Sequence, residues 1–139
     1  MKRHPALQQL SRDHHHALVV AQHLKRANAA DIHRARSAFL DYWRADGKRH
    51  FREEEEILMP TLARFSDLEQ PIVGRVLVDH VRIRCLADQL ETIDRELEVA
   101  HALGQELEQH VRREERELFP LIERTLPEDE LVRLASLMS

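Results

Sequence analysis

The sequence predicts an all-α fold, an up-down-up-down four-helix bundle with a short C-terminal fifth helix. The chain has only three Gly and five Pro, and it is rich in Leu, Ala, Glu and Arg, which favour helices. Aromatic residues make up 4% of the chain, too few for a typical sheet protein. Apolar residues recur at helical spacing in four long stretches joined by short connections. We expect residues 1–139 to form one domain, because this length can bury a core.

The first two helices are predicted from their apolar stripes and from the residues at their ends. Pro5 suits a first helical position, and the stripe that follows predicts a helix over residues 6–27. Asp31 is expected to be the N-cap of the second helix. Gly47 lies inside this helix and could kink it, and Pro60 should end or bend it.

The second half of the chain repeats this scheme. Pro71 opens the third helix, and we place the turn to the fourth helix within residues 94–99. Pro120 should disturb the end of the fourth helix. Pro127 starts a short fifth helix, which either caps the bundle or joins a dimer interface.

Charge and composition exclude several classes of protein. The net charge is −4, from 21 basic and 25 acidic residues, with no separate basic cluster, so nucleic-acid binding is not expected. No apolar run approaches the roughly 20 residues of a membrane span, and none follows the basic start as in a signal peptide. The single Cys85 cannot form an internal disulfide, which fits a cytoplasmic location. We expect its side chain to be buried or half-buried.

One phrase occurs twice in the chain. Residues 50–60 read HFREEEEILMP and residues 110–120 read HVRREERELFP, identical at six of eleven positions. An Asp-His pair precedes each copy, at residues 13–14 and 79–80. With only two copies, this pattern indicates a duplicated helical hairpin rather than a solenoid. The identical pairs are His50/His110, Arg52/Arg112, Glu54/Glu114, Glu55/Glu115, Leu58/Leu118 and Pro60/Pro120.

The repeated histidines and glutamates are predicted to share one layer of the core. Each histidine lies on the apolar stripe of its helix, and each glutamate four residues after a histidine lies on the same face. All four histidines are about eight to ten residues from a helix end, or roughly 12–15 Å along the axis. The predicted layer contains His14, His50, Glu54, His80, His110 and Glu114.

Two buried carboxylates need compensation, because an unpaired charge in an apolar core is costly. Two metal ions would supply it, and imidazole with carboxylate suits iron, manganese or zinc. A carboxylate can bridge two ions about 3.5–4 Å apart. A single inward histidine is usually a hydrogen-bonded core residue, but four at one depth, two with a glutamate at i+4, favour metal binding.

Other residues near the layer are weaker candidates. Glu55 and Glu115 are alternative ligands at i+5, and His15 and His16 are alternative ligands or support for ligands. We interpret three aromatic residues as core rather than as contacts of a cofactor: Trp43, Phe51 and Phe119.

These motifs resemble the hemerythrin-like family, also called the HHE cation-binding domain. The resemblance runs from residue 10 to about residue 126, through LSRDHH at 10–15, HFREEEE at 50–56, DH at 79–80 and HVRREERELFP at 110–120. It implies a four-helix bundle around a non-haem di-iron centre. The implied ligands are His14, His50, Glu54, His80, His110 and Glu114, with both glutamates bridging.

The sequence departs from the oxygen-carrying hemerythrins at one place. Those proteins have two histidines four residues apart on the third helix, whereas here Arg84 follows His80 at that spacing. One iron would be completed by water, by His15 or His16, or by another carboxylate. This weakens the case for simple reversible oxygen carriage, and it would leave either an open coordination position or a weakly held second metal.

The resemblance implies a cytoplasmic di-iron protein that binds or senses O2, peroxide or nitric oxide, or that handles iron. An enzyme-like role in peroxide breakdown or iron–sulfur cluster repair is an alternative, and the sequence does not decide whether the chain is an enzyme. A metal-independent helical interaction module and a structural zinc site also stay open. The expected partner is a small diatomic ligand or peroxide, and a homodimer is left open.

Overall fold

The computed structural model describes residues 2–92 and 96–138, and within these ranges it contains helices and no strands. The all-α prediction is therefore confirmed, including the fifth helix. The helices are α1 (Gln8–Lys25, after a 3₁₀ turn at Pro5–Leu7), α2 (residues 32–63), α3 (Pro71–Thr92), α4 (residues 96–125) and α5 (Glu128–Leu137). None of the helices in the described ranges is long and apolar enough to cross a membrane.

Helices α2 and α4 contain wider π turns. In α2 these are Trp43–Gly47 and Glu54–Leu58, and in α4 there is one at Glu114–Leu118. The turns at Glu54–Leu58 and Glu114–Leu118 occupy matching positions of the duplicated phrase. Each begins at a glutamate of the predicted layer.

The π turns explain why two prolines do not end their helices. The amide of Met59 bonds to the carbonyl of Glu54 across the wider turn, and Pro60 comes directly after it. Proline lacks an N–H and crowds the preceding turn of an α-helix, and the wider turn accommodates it. Of the two effects predicted for Pro60, ending α2 does not occur, because the helix continues to residue 63. Pro120 occupies the equivalent position in α4, directly after Phe119, whose amide bonds to the carbonyl of Glu114.

The prediction that Asp31 is the N-cap of α2 is confirmed. Asp31 occupies the N-cap position of α2, but its side chain makes no capping bond. Its carboxylate accepts a hydrogen bond from the amide of Asn28 at 2.8 Å. The Asn28 side chain in turn accepts from the amides of Ala30 and Asp31. The Asp31 side chain therefore closes the connection between α1 and α2 and does not bond to the first turn of the helix.

Three further predictions concern Gly47, the turn within residues 94–99, and Cys85. Gly47 lies inside α2 and ends its first π turn, where a Cβ atom would collide with the Trp43 ring. The turn predicted within residues 94–99 lies partly outside the described residues, and residues 96–99 are already helical. Cys85 is exposed rather than buried, because it lies on the outer face of α3.

Two apolar clusters lie on either side of the predicted polar layer. Along α1 and α3 the chain passes from the second cluster, which contains Leu7 and Val76, through the layer to the first cluster, which contains Leu24 and Ile83. Along α2 and α4 the chain passes from the first cluster to the second. This alternation is what an up-down-up-down order requires, and the topology itself stays a prediction. The first cluster includes Leu24, Phe39, Trp43, Ile83 and Leu103, and the second includes Leu7, Leu62, Val76, Phe119 and Leu134.

Helix α5 packs against its own bundle. Leu131 and Leu134 are buried within the second apolar cluster, whereas Leu137 is exposed. Of the two roles that the sequence leaves open for α5, the structure therefore favours capping.

Helices α1 and α4 approach closely at Gly104. A Cβ atom there would lie 2.7 Å from the carbonyl oxygen of Ala21 and 2.8 Å from the amide nitrogen of Lys25. Both contacts are with backbone atoms, which cannot move without displacing the helix.

We expect Gly104→Ala to lower the free energy of unfolding by about 1–3 kcal/mol, because the added methyl group overpacks the contact between α1 and α4. Gly74→Ala is the matched control, since nothing lies within 4 Å of its Cβ position. That control should raise stability by about 0.5–1 kcal/mol through the better helix propensity of alanine. Urea unfolding measures both variants, and equal stabilisation by both would contradict the close approach.

Candidate metal centre

Four helices bring the six predicted residues together in one buried layer. Each is at most 4% exposed, and Glu54 and Glu114 are completely buried. Their ligand atoms form two groups in which all atoms lie within 4.8 Å of one another. One group is His14, His50, Glu54 and Glu114, and the other is Glu54, His80, His110 and Glu114. Both glutamates therefore belong to both groups.

Glu54 faces one histidine of each group with a different oxygen. Its Oε2 lies 3.2 Å from Nε2 of His50, and its Oε1 lies 3.0 Å from Nε2 of His80. A carboxylate placed in this way can bind two cations, one at each oxygen.

Glu114 has the same arrangement. Its Oε1 lies 2.7 Å from Nε2 of His14 and 3.5 Å from that of His50. Its Oε2 lies 3.1 Å from Nε2 of His110 and 3.5 Å from that of His80. The layer thus offers two neighbouring positions, each with two imidazole nitrogens and two carboxylate oxygens.

Several of these ligand atoms have no hydrogen-bond partner in the part of the chain that the structure describes. They are Nε2 of His50, His80 and His110, both side-chain oxygens of Glu54, and Oε2 of Glu114. Buried polar atoms are nearly always satisfied in native proteins. Nitrogen and oxygen donors of this kind suit iron, manganese or zinc. The residues present therefore fit a pair of cations.

The other ring nitrogen of each layer histidine meets a carboxylate from a different helix. Nδ1–H of His50 donates to Asp13 at 3.1 Å, and Nδ1–H of His110 donates to Asp79 at 3.1 Å. Each aspartate directly precedes a layer histidine in the sequence. In each Asp-His pair, the histidine is therefore a possible ligand, and the aspartate supports a histidine of the neighbouring helix.

Glu55 and Glu115 support the remaining two histidines. Nδ1–H of His80 donates to Glu55 at 2.5 Å, and Nδ1–H of His14 donates to Glu115 at 2.5 Å. These bonds fix the tautomer and the ring orientation and leave Nε2 free for a metal. Both glutamates lie outside the two groups of ligand atoms. The duplicated Asp-His and Glu-Glu pairs were the sequence signal for this supporting shell, whose pairing across helices the sequence analysis missed.

An arginine accompanies every supporting carboxylate. The four pairs are Arg49 with Asp13 at 3.0 Å, Arg113 with Asp79 at 2.7 Å, Arg84 with Glu55 at 2.7 Å, and Arg3 with Glu115 at 3.1 Å. Each supporting carboxylate thus has a positive charge beside it, although Arg49 also pairs with Glu53 at 2.5 Å and Arg3 with Glu123 at 2.6 Å.

Mutual pairing shifts the ionisation of the layer. Burial alone would lower the pKa of His80, but Glu114 and Glu54 outweigh it and raise that pKa to about 10. Burial likewise opposes ionisation of Glu114, but His110, His14 and His50 hold its pKa well below the usual range. In the absence of metal, protonated imidazoles therefore compensate the buried carboxylates.

The alternative ligands do not join the layer. His15 and His16 are exposed, and the nearest carboxylate to His16 is Asp46, at 3.5 Å. Arg84, at the position of the expected fifth histidine, directs its guanidinium to Glu55. Neither the two histidines nor Arg84 supplies the missing ligand.

The three aromatic residues predicted to be core are buried, and two of them also contact layer histidines. The ring of Phe51 stacks on His80 with centroids 3.9 Å apart, and that of Phe119 stacks on His14 at 5.2 Å. Trp43 packs edge-on against Phe51 at 5.2 Å. The aromatic residues therefore form part of the walls around the layer.

Comparison with protein families agrees with this site. A profile of the Hemerythrin HHE cation binding domain matches residues 6–122, and the chain belongs to that family. The resemblance noted in the motifs is confirmed, and the buried His/Glu cluster lies within the matched range. Family and cluster together indicate a metal-binding protein. Comparisons with curated proteins and with solved structures gave no match.

The raised histidine pKa values predict how the stability of the metal-free protein depends on pH. The pKa of His80 is about 10 when folded, against an ordinary value of 6.5. The stability that its protonation contributes is fully present below pH 6.5 and is lost as the pH rises towards 10. We therefore expect the chelator-treated protein to melt at a lower temperature at pH 9.5 than at pH 6.5.

The matched variant is His80→Gln, in which this loss between pH 6.5 and 9.5 should be smaller. Melting curves recorded by circular dichroism compare the two proteins. A loss of the same size in both would contradict the assignment to His80.

Proposed function

We propose that this chain is a non-haem di-iron protein of hemerythrin type that binds or senses O2, peroxide or nitric oxide, or handles iron. The observation that carries the proposal is the placement of Glu54 and Glu114, each with one oxygen towards each histidine pair. In this proposal His14 and His50 hold one iron, His80 and His110 hold the other, and both glutamates bridge.

A bound iron pair would supply reversible electron transfer and positions for a small ligand. The protein offers four donor atoms at each position, fewer than the six of an octahedral site. Each position would therefore have room for further ligands. Manganese or zinc would suit the same donors, and the choice among the three metals rests on the family.

The protein around the layer favours a small ligand. All six residues are at most 4% exposed, and apolar clusters lie on both sides. Such an enclosed site favours a ligand no larger than a diatomic molecule or peroxide, because a larger substrate would need the helices to separate. Water exclusion also strengthens the electrostatic interactions within the layer.

The unsatisfied ligand atoms argue against a metal-independent interaction module. A polar layer that served only specificity would be expected to satisfy its own hydrogen bonds. Here three histidine nitrogens lie 3.0–3.2 Å from glutamate oxygens of the layer, but within the described residues these contacts do not have hydrogen-bond geometry.

We expect His50→Ala and His110→Ala each to reduce the iron content, because each removes one of the two nitrogen donors at a different position. Loss of a direct ligand should weaken binding by more than the 10–100-fold typical of a supporting residue. His23→Ala is the control, since His23 is exposed and belongs to neither group. Unchanged iron in both layer variants, measured by elemental analysis after gel filtration, would remove the site assignment.

The ligand class is tested with the iron-loaded, reduced protein. We expect separate additions of O2, hydrogen peroxide and nitric oxide to change the visible absorption spectrum for at least one of the three. The zinc-loaded protein is the control. Catalytic turnover of peroxide would favour the enzyme-like alternative, and no spectral response to any ligand would contradict binding or sensing.

A further inference from the structure

Two of the four layer histidines each belong to a unit of four residues: the histidine, a phenylalanine, a glutamate and an arginine. In the first unit, Phe51 stacks on the ring of His80 at 3.9 Å with an interplanar angle of 8°. Glu55 accepts from Nδ1 of that histidine at 2.5 Å. Arg84 donates to the same carboxylate oxygen at 2.7 Å, and its guanidinium carbon lies 5.5 Å from the centroid of the Phe51 ring.

The second unit has the same four types of residue, but Arg3 bonds to the other oxygen of the carboxylate and also pairs with Glu123 at 2.6 Å. Phe119 stacks on His14 at 5.2 Å with an interplanar angle of 9°. Glu115 accepts from Nδ1 of that histidine at 2.5 Å. Arg3 pairs with Glu115 at 3.1 Å, and its guanidinium carbon lies 5.5 Å from the centroid of the Phe119 ring.

The two units are not simple copies made by the duplication. At an offset of 60, the counterpart of Phe51 is Val111 and that of Phe119 is Met59. The arginines come from unrelated places, since one lies in α3 and the other precedes α1. The histidine and the glutamate of the two units are related by the duplication, but the phenylalanine and the arginine are not. Common descent therefore does not explain why both units contain these two residues, and a shared role does.

Charge suggests that role. Glu55 and Glu115 place a carboxylate against the ring that would hold the metal, which adds negative charge to the ligand. The paired arginine offsets that negative charge. It also acts electrostatically on the layer, because charges interact more strongly in a partly buried site than in water. Arg84 and Arg3 are only partly exposed, at 38% and 21% of the side chain. Their positive charge should therefore favour the reduced, less positive state of a bound metal pair.

We propose that Arg84 and Arg3 are positioning residues. They hold the Glu55 and Glu115 carboxylates against His80 and His14, and they raise the reduction potential of the metal centre. The inference rests on the proposed function, because it needs a redox-active metal in the layer.

The experiment compares Arg84→Gln, Arg84→Lys and Glu55→Gln in the iron-loaded protein. Arg84→Gln removes the positive charge and should lower the midpoint potential, whereas Arg84→Lys keeps the charge and should stay near the parent protein. Glu55→Gln removes the negative charge and should raise the potential. At a fixed applied potential, the ratio of oxidised to reduced centre should change roughly tenfold, upwards for Arg84→Gln and downwards for Glu55→Gln.

Arg82→Gln is the matched control, because Arg82 is exposed on the same helix and pairs with none of the four supporting carboxylates. Its potential should equal that of the parent. Arg3→Gln, in the other half of the molecule, should also lower the midpoint potential. It replaces Arg84→Gln as the test if that variant is unstable. Optical redox titration measures all five variants.

Opposite shifts for Arg84→Gln and Glu55→Gln are the signature of charge, since a general disturbance of the site would move both in one direction. Equal potentials in Arg84→Gln, Arg3→Gln and the parent would overturn the inference, and so would shifts of the same sign. If the parent protein holds no redox-active metal, the proposed function fails instead. The two failures are therefore distinguishable.

Discussion

Complete burial of Glu54 and Glu114 is the constraint on which the rest of the structure depends. Two carboxylates in the middle of a helical bundle cannot persist without compensating charge. The four histidines, their supporting carboxylates and the arginines outside them answer this requirement. Two apolar clusters isolate the layer from water, which makes each electrostatic interaction in it stronger and each unpaired atom more costly.

The charges are arranged in shells around the layer. Glutamates lie at the centre, imidazoles surround them, carboxylates hold the outer nitrogens, and arginines at half-exposed positions neutralise those carboxylates. Without metal, protons on the imidazoles balance the glutamates, and metal binding would release them. The same side chains can therefore support an empty and a loaded state, with different dependence on pH.

Much of this arrangement could be predicted from the sequence, because helical periodicity directly gives the face on which a residue lies. The apolar stripes of the helices correctly predicted that the six residues share one buried layer. Pairing between helices is less accessible: that Asp13 supports His50 depends on how two helices face each other. The π turns were missed because Pro60 reads as a helix end unless the wider turn before it is known. Cys85 was misjudged because a small apolar side chain can occupy either face of α3.

The central claim is that the layer holds a pair of iron ions bridged by two glutamates. Its most direct test is the iron content per chain of the purified protein, with optical spectra before and after treatment with dithionite and air. The account predicts a pair of irons per chain and absorption bands that disappear on reduction and return on oxidation. Zinc, or no metal, with a colourless and unchanging spectrum, would leave the helical fold in place and contradict the di-iron centre.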